Sequence, residues 1–258
     1  CESLRKERKN KRPISLYIHI PFCRQLCTFC GCNKFITRDQ NIVEKYLLAL
    51  ENEISTIASY LGTKKELADI HLGGGTPTFL TTKQLDRILD LIFSKFNIQE
   101  RKEWAFEADP RVTTTKHLEV LYKLGFTRVS FGVQDLNKDI QRAINRNQTS
   151  KQSWETLDEA RNIGYKSVNL DLVYGLPLQT HKIFRNTIKE VIKMHPDRLA
   201  IYSFAFLPGM FQSHRRAIKL NDLPSPEEKI KIYLEALSSL ETAGYIMIGM
   251  DHYSLPDD

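Results

Sequence analysis

Residues 17–32 read YIHIPFCRQLCTFCGC. A short alternating run, with Leu16, Ile18 and Ile20 on one side and Tyr17 and His19 on the other, feeds straight into a loop holding Cys23, Cys27 and Cys30. Alternation of this kind makes a strand with one apolar face. The apolar set is expected to face helices, and Tyr17 and His19 to face an interior beside the cysteines. The thiols are separated by three and then two residues. Three thiolates on one loop suit three corners of a cubic iron–sulfur cluster. The fourth iron is then open to a small molecule, whereas a cluster that only carries electrons usually takes four cysteines.

The other readings of these cysteines have less behind them. Packing of small hydrophobes does not explain three thiols within eight residues. Five Cys in 258 residues and no secretory signal point to a reducing cytoplasm, not to disulfides. Zinc is the serious rival, because Cys32 supplies a fourth thiol. Structural zinc sites, however, usually draw two cysteine pairs from separate segments. Cys32 stays open between spare ligand, structural thiol and substrate-side residue. Cys1 reads as an isolated thiol at a cut end.

Composition is that of an ordinary globular domain, 41% hydrophobic and 26% charged. The net charge of +6 is mostly local: RKERKNKR, residues 5–12, carries six basic residues and one acid. No aromatics interleave with these basic residues, so the segment is only weak evidence for nucleic acid and reads rather as a solvated arm. No apolar run approaches a membrane span. The expected division is a basic arm over residues 1–13 and one domain over residues 14–258. The chain begins without Met and ends in GMDHYSLPDD, which suggests a fragment.

From residue 14 onward, β-rich runs alternate with amphipathic helical runs. Strands are expected at 15–20, 69–72, 104–108, 128–132, 167–174 and 198–204. Helices are expected at 41–60, 83–96, 114–124, 153–163, 182–194 and 226–243. Gly125, Gly164 and Gly244, each followed by an aromatic, punctuate helix-to-strand junctions 39 and then 80 residues apart, a weak repeat of one βα unit. Thr81 with Gln84, and Ser225 with Glu228, read as capping boxes. The fold class is α/β: a partial, open (β/α)6 barrel with parallel strands, since six units are too few to close an eight-fold one. A doubly wound open sheet is the alternative.

Ligands of parallel α/β folds sit beyond the carboxyl ends of the strands. Unusual residues gather there: the cysteine loop, Gly73–Thr76, Glu107 and Asp109, Gln134 and Asp135, Asn169 and Asp171, and Ala205 with Phe206. GGGTP lacks the lysine of a phosphate loop and reads equally as a bare turn or a ligand cradle. An acid such as Asp171 among buried β residues needs a partner. His19 is a minor candidate; His71 and His252 carry less.

CRQLCTFC resembles the signature of radical S-adenosylmethionine enzymes. YIHIPFCRQLCTFCGCNKFITR resembles one branch of them, the oxygen-independent coproporphyrinogen III oxidases, or coproporphyrinogen dehydrogenases. LGGGTPTFL, FEADPR, FGVQDLNKDIQRAINRNQ, NLDLVYGLPLQT and GMDHY extend the likeness over nearly everything from Tyr17 to Asp258. CGCN is its most discriminating element, because haem chaperone-like relatives typically lack that fourth cysteine.

The resemblance implies that Cys23, Cys27 and Cys30 ligate a [4Fe–4S] cluster whose open iron chelates S-adenosyl-L-methionine. Tyr17, Gly74 and Glu107 match a first S-adenosylmethionine site. Phe29, Gly75, Thr76, Gln134, Arg146, Asp171 and Ala205 match a second. The implied reaction starts with one electron from a reduced flavodoxin or ferredoxin-like donor. A 5′-deoxyadenosyl radical then takes a hydrogen from a propionate β carbon. Carbon dioxide leaves, an electron passes to an acceptor, and a vinyl group remains. Done on two propionates, this turns coproporphyrinogen III into protoporphyrinogen IX in anaerobic haem biosynthesis. No other catalytic side chain is implied; a cytoplasmic monomer without nucleic-acid or membrane partners is. Alternatives are a paralogue acting on haem and a haem-binding chaperone. The family's C-terminal helical domain is expected to be missing, and turnover of the porphyrinogen to be poor for that reason.

Overall fold

The computed structural model describes residues 2–10, 12–62, 64–99 and 103–258, so the reading of Cys1 lies outside the described residues. The chain opens with α1 (Glu2–Lys9) and β1 (Ile14–Ile20), then the two-residue strands β2 (Phe22–Cys23) and β3 (Phe35–Ile36). Next come α2 (Gln40–Leu61), β4 (Glu66–Gly74), α3 (Thr82–Lys95), the short β5 (Asn97–Ile98) and β6 (Trp104–Ala108). The middle holds α4 (Thr115–Lys123), β7 (Phe126–Gln134), α5 (Lys138–Ala143), α6 (Ser150–Ile163), β8 (Ser167–Tyr174) and α7 (His181–Met194). Last are β9 (Arg198–Ser203), α8 (Gln212–Ala217), α9 (Pro226–Thr242), β10 (Ile246–Gly249) and β11 (His252–Ser254).

Six long strands stand in the order β1-β4-β6-β7-β8-β9 and pair in parallel throughout. Spatial order follows chain order, with no point of reversal. A doubly wound sheet needs such a reversal, so this is a singly wound, barrel-like sheet. It stays open: β1 ends one side, and the antiparallel hairpin β10–β11 extends the other beyond β9.

The helices wrap the outer face because each carries one apolar stripe. On α2 the stripe is Val43, Leu47, Leu50 and Ile54, all buried. It joins Ile18, Ile20 and Leu72 in one continuous core with the stripes of α3, α4, α6, α7 and α9. Each such fully buried side chain contributes roughly 1.5–3 kcal/mol of transfer free energy. Thr81 and Gln84 form the expected capping box, and Gly164 ends α6 in a left-handed conformation at φ 112°. Ser225 caps α9 through the Glu228 N–H. No reciprocal bond forms there, because the Glu228 carboxylate instead accepts from the backbone and ring nitrogens of His181.

The basic arm is helical over Glu2–Lys9. Glu2 in its first turn and Lys6, Arg8 and Lys9 in its last complement the helix dipole. It buries no residue, but it is tied down. Arg5 lies over the Tyr60 ring at 5.5 Å, and Lys65 Nζ donates to the Glu7 carbonyl at 3.0 Å. Among the described residues no helix is long and apolar enough to cross a membrane.

Candidate functional site

β1 delivers the cysteine loop, and short backbone bonds hold the loop shut. Phe35 N–H donates to the Pro21 carbonyl (2.7 Å) and Thr37 N–H to the Cys23 carbonyl (3.1 Å). Lys34 Nζ donates to the carbonyls of Cys30 (2.7 Å) and Cys32 (3.3 Å). The other flank is pinned by residues 143–145: Thr28 N–H reaches the Ile144 carbonyl at 3.0 Å, and Asn145 Nδ2 reaches the Leu26 carbonyl at 2.8 Å. Phe22, just before Cys23, is wedged between the rings of Phe35, Tyr46 and Phe79.

His19 has a structural task. Its Nε2 faces the Asn33 carbonyl at 2.8 Å. A carbonyl only accepts, so Nε2 carries the proton and Nδ1 accepts from the Tyr17 hydroxyl at 3.0 Å. This links the strand to the far end of the loop.

The glycine run closes against the same loop. A Cβ on Gly74 (φ 122°) would lie 2.8 Å from the Ile20 carbonyl oxygen, and one on Gly75 would lie 2.5 Å from that of Pro21. The run is thus neither a bare turn nor only a cradle: it lets β4 press on the backbone that leads to Cys23. Thr76 Oγ1 then sits 3.7 Å from Cys23 Sγ.

A cavity of 480 Å³ opens at the carboxyl ends of the strands. Cys23, Cys27, Cys30 and Cys32 line it. So do Phe29, Gly74, Gly75, Thr76, Glu107, Gln134, Arg146, Asp171 and Ala205. Of the residues that the resemblance implies for the cluster and S-adenosylmethionine, Tyr17 alone stands off this lining. It is 56% exposed and stacked on the His71 ring at 5.7 Å, while His71 Nε2 pairs with Glu107 Oε1 at 3.4 Å. Asp135 also departs from expectation. It is buried behind the site, accepting from Thr187 Oγ1 (2.7 Å) and Gln179 Nε2 (2.8 Å).

The electrostatics are uneven across the cavity. Glu107 Oε2 accepts the Gly74 N–H at 3.2 Å. Asp171 accepts from Ser130 Oγ (2.9 Å) and Asn169 Nδ2 (2.7 Å). Burial, helped by the Glu107 charge, pushes the Asp171 pKa up to about 6. A hydrogen bond from the Cys32 thiol, with Lys34 and Arg146 nearby, pulls Cys30 down to about 6 against its burial, and the same bond pushes Cys32 up. Burial raises Cys23. Gln134 holds a left-handed backbone at φ 70°, a conformation that costs free energy and often marks a site.

Sequence reasoning missed Arg111, Lys34 and His214. His214 accepts the Leu207 N–H through Nδ1 (3.1 Å), and its Nε2 donates to the Phe29 carbonyl at 3.1 Å, so it fixes Phe29 at the rim. It sits on a six-residue helix, too short for a periodic signal.

Residues 17–191 match the model of the Radical SAM superfamily. The chain belongs to the radical S-adenosylmethionine superfamily. Within it, the chain is 46% identical over 248 residues to the oxygen-independent coproporphyrinogen III oxidase of Salmonella typhimurium, which covers 96% of this chain and 54% of that one. Against the enzyme of the same name from Pseudomonas aeruginosa the figures are 42% over 258 residues, with 99% and 56% covered. The solved structure of Escherichia coli coproporphyrinogen III oxidase, a radical SAM enzyme, superposes with a TM-score of 0.96 at 43% identity, covering all of this chain and 59% of that one. The chain therefore spans about half the length of the curated relatives it matches.

Membership of the radical SAM superfamily brings a [4Fe–4S] cluster and S-adenosylmethionine as cofactors, and the residues present fit both. Cys23, Cys27 and Cys30 line one cavity, a set of thiolates of the kind that holds iron–sulfur clusters. Asn169 Oδ1, on the strand that carries Asp171, is a buried oxygen without a hydrogen-bond partner. A buried polar atom of that kind calls for a partner that is not part of the chain.

Proposed function

We propose that this chain is the cluster-bearing barrel of an oxygen-independent coproporphyrinogen III oxidase. One observation carries the reading: Cys23, Cys27 and Cys30 share a single cavity with twelve of the thirteen expected site residues, themselves included, in a chain 46% identical to an enzyme of that name. Bound together, cluster and S-adenosylmethionine supply a carbon radical that removes a hydrogen atom from the substrate, so the protein's task is position and exclusion of water.

Glu107, paired on one side with His71 and on the other with the Gly74 N–H, offers its carboxylate to the ammonium group of S-adenosylmethionine. Tyr17 backs it from outside the cavity. Asp171, Gln134 and Arg146 offer acceptor and donor groups to a second molecule, with Phe29 and Ala205 as apolar walls and Gly75 and Thr76 as backbone and hydroxyl contacts. Propionate decarboxylation needs no acid–base pair from the protein, since the electron left behind goes to an external acceptor. A reduced flavodoxin or ferredoxin-like protein supplies the first electron.

The test is anaerobic. Reconstituted protein is given reductant, S-adenosylmethionine and coproporphyrinogen III. Methionine, 5′-deoxyadenosine and vinyl-bearing product support the proposal. Cleavage of S-adenosylmethionine with the porphyrinogen untouched, and retention of added haem instead, contradicts it.

A further inference from the structure

The turn after β6, Asp109-Pro110-Arg111, aims a cation at one cysteine. Asp109 accepts the Arg111 backbone N–H at 3.0 Å and grips its guanidinium from both oxygens, with Nε at 3.0 and 3.1 Å and Nη2 at 2.6 Å. Nη1 donates to the Arg146 carbonyl at 2.6 Å. So fixed, Nη2 also reaches Cys27 Sγ at 3.6 Å. Arg146 Nη1 meets the same sulfur at 3.7 Å, and its Nη2 lies 3.4 Å from Asp109 Oδ1. Cys27 and Asp109 are each 8% exposed and Arg146 6%. Cys23 instead meets the Thr76 hydroxyl, and Cys30 the Cys32 thiol, with the charges of Lys34 and Arg146 nearby.

We propose that Arg111, held in place by Asp109, sets the reduction potential of the cluster through the Cys27 thiolate. This rests on the reading of Cys27 as a cluster ligand. Uptake of one electron from a low-potential donor adds one negative charge to the cluster and its thiolates. Guanidinium donors at a thiolate favour that added charge. Asp109 opposes it, being the anion in the same buried knot. Arg111 and Asp109 therefore act with opposite sign, although they lie in one turn and support the same local structure. Arg111 is a positioning residue here, acting only through Cys27.

The test is a potentiometric titration of the anaerobically reconstituted chain. Dithionite and redox mediators supply the electrons, and the electron paramagnetic resonance signal of the reduced cluster is followed. Iron content is measured first. Arg111→Gln is expected to shift the midpoint to a more negative potential and Asp109→Asn to a more positive one, with Arg111→Lys between Arg111→Gln and the wild type. Equal iron content with an unmoved midpoint in Arg111→Gln, or shifts of the same sign in Arg111→Gln and Asp109→Asn, overturns the proposal. If Arg111→Gln fails to fold, Arg111→Lys and Asp109→Asn must still move in opposite directions. A wild-type chain that takes up no iron fails at the first measurement and removes the cluster reading itself.

Discussion

Gly75 packs so closely on Pro21 that a Cβ would stand 2.5 Å from the Pro21 carbonyl oxygen. Two backbone segments meet there with no flexible side chain to yield. Gly75→Ala must push the start of the cysteine loop away from β4. Strain of this kind costs about 1–3 kcal/mol. The expected result is a lower urea midpoint together with reduced iron uptake on reconstitution. Wild-type values of both would mean that the loop is not braced by the glycine run.

Phe22 locks the loop from the other side. It is 2% exposed and sits T-shaped to Phe35 and Tyr46 and tilted to Phe79. Truncating a buried Phe costs about 3–5 kcal/mol. Phe22→Ala should lower the denaturation midpoint by that order. It should also weaken cluster retention more than an equally buried site far from the loop, such as Phe184→Ala. Equal iron loss in both variants would show that only global stability matters.

Cys32 is exposed while Cys27 is buried. Cys27→Ser should lose both iron and S-adenosylmethionine cleavage with the far-ultraviolet circular dichroism unchanged. Cys32→Ser should keep the visible absorbance of the cluster. Bleaching in Cys32→Ser would make Cys32 a ligand, and a coloured Cys27→Ser protein would remove Cys27 from the ligand set.

Asp171 ties stability to pH. Burial raises its pKa to about 6, above the ~3.9 of a free aspartate. Between about pH 4 and about pH 6 the folded protein thus holds more of this proton than the unfolded chain, and stability falls as pH rises through that window. Asp171→Asn has no such proton. The urea midpoint of cofactor-free wild type should drop relative to the variant from about pH 4 to about pH 7 and run parallel above it. A constant gap across the whole range would contradict the shift.

The strands and helices that were legible in sequence are those long enough to show a period. β6 and β8 match the expected bounds residue for residue, because each is a continuous β-rich run between polar breaks. α5 and α8, six residues each, are too short for a helical stripe to emerge. The β10–β11 hairpin is fixed by pairing with β9, a tertiary contact that no local pattern encodes. The Ser225 box failed for the same kind of reason: Glu228 found His181, 47 residues away in sequence. At the site, the strand-end rule located the cavity. It could not separate Asp171, which faces it, from Asp135, which lies behind it, because both stand in or just past a β-rich run. Tyr17 alternates with Ile18 as expected, but the sheet's open edge leaves it beside the cavity rather than in it. Arg111 was hidden because its meaning depends on Cys27, which is distant in sequence and adjacent only after folding.

The central claim is a cube of iron and sulfide held by Cys23, Cys27 and Cys30 with one iron left open. Anaerobic iron and sulfide analysis, with spectra recorded before and after adding S-adenosylmethionine, tests it most directly. The prediction is about four irons and about four sulfides per chain, with a spectrum that changes when S-adenosylmethionine binds. Zinc in place of iron, or a cluster blind to S-adenosylmethionine, would contradict it.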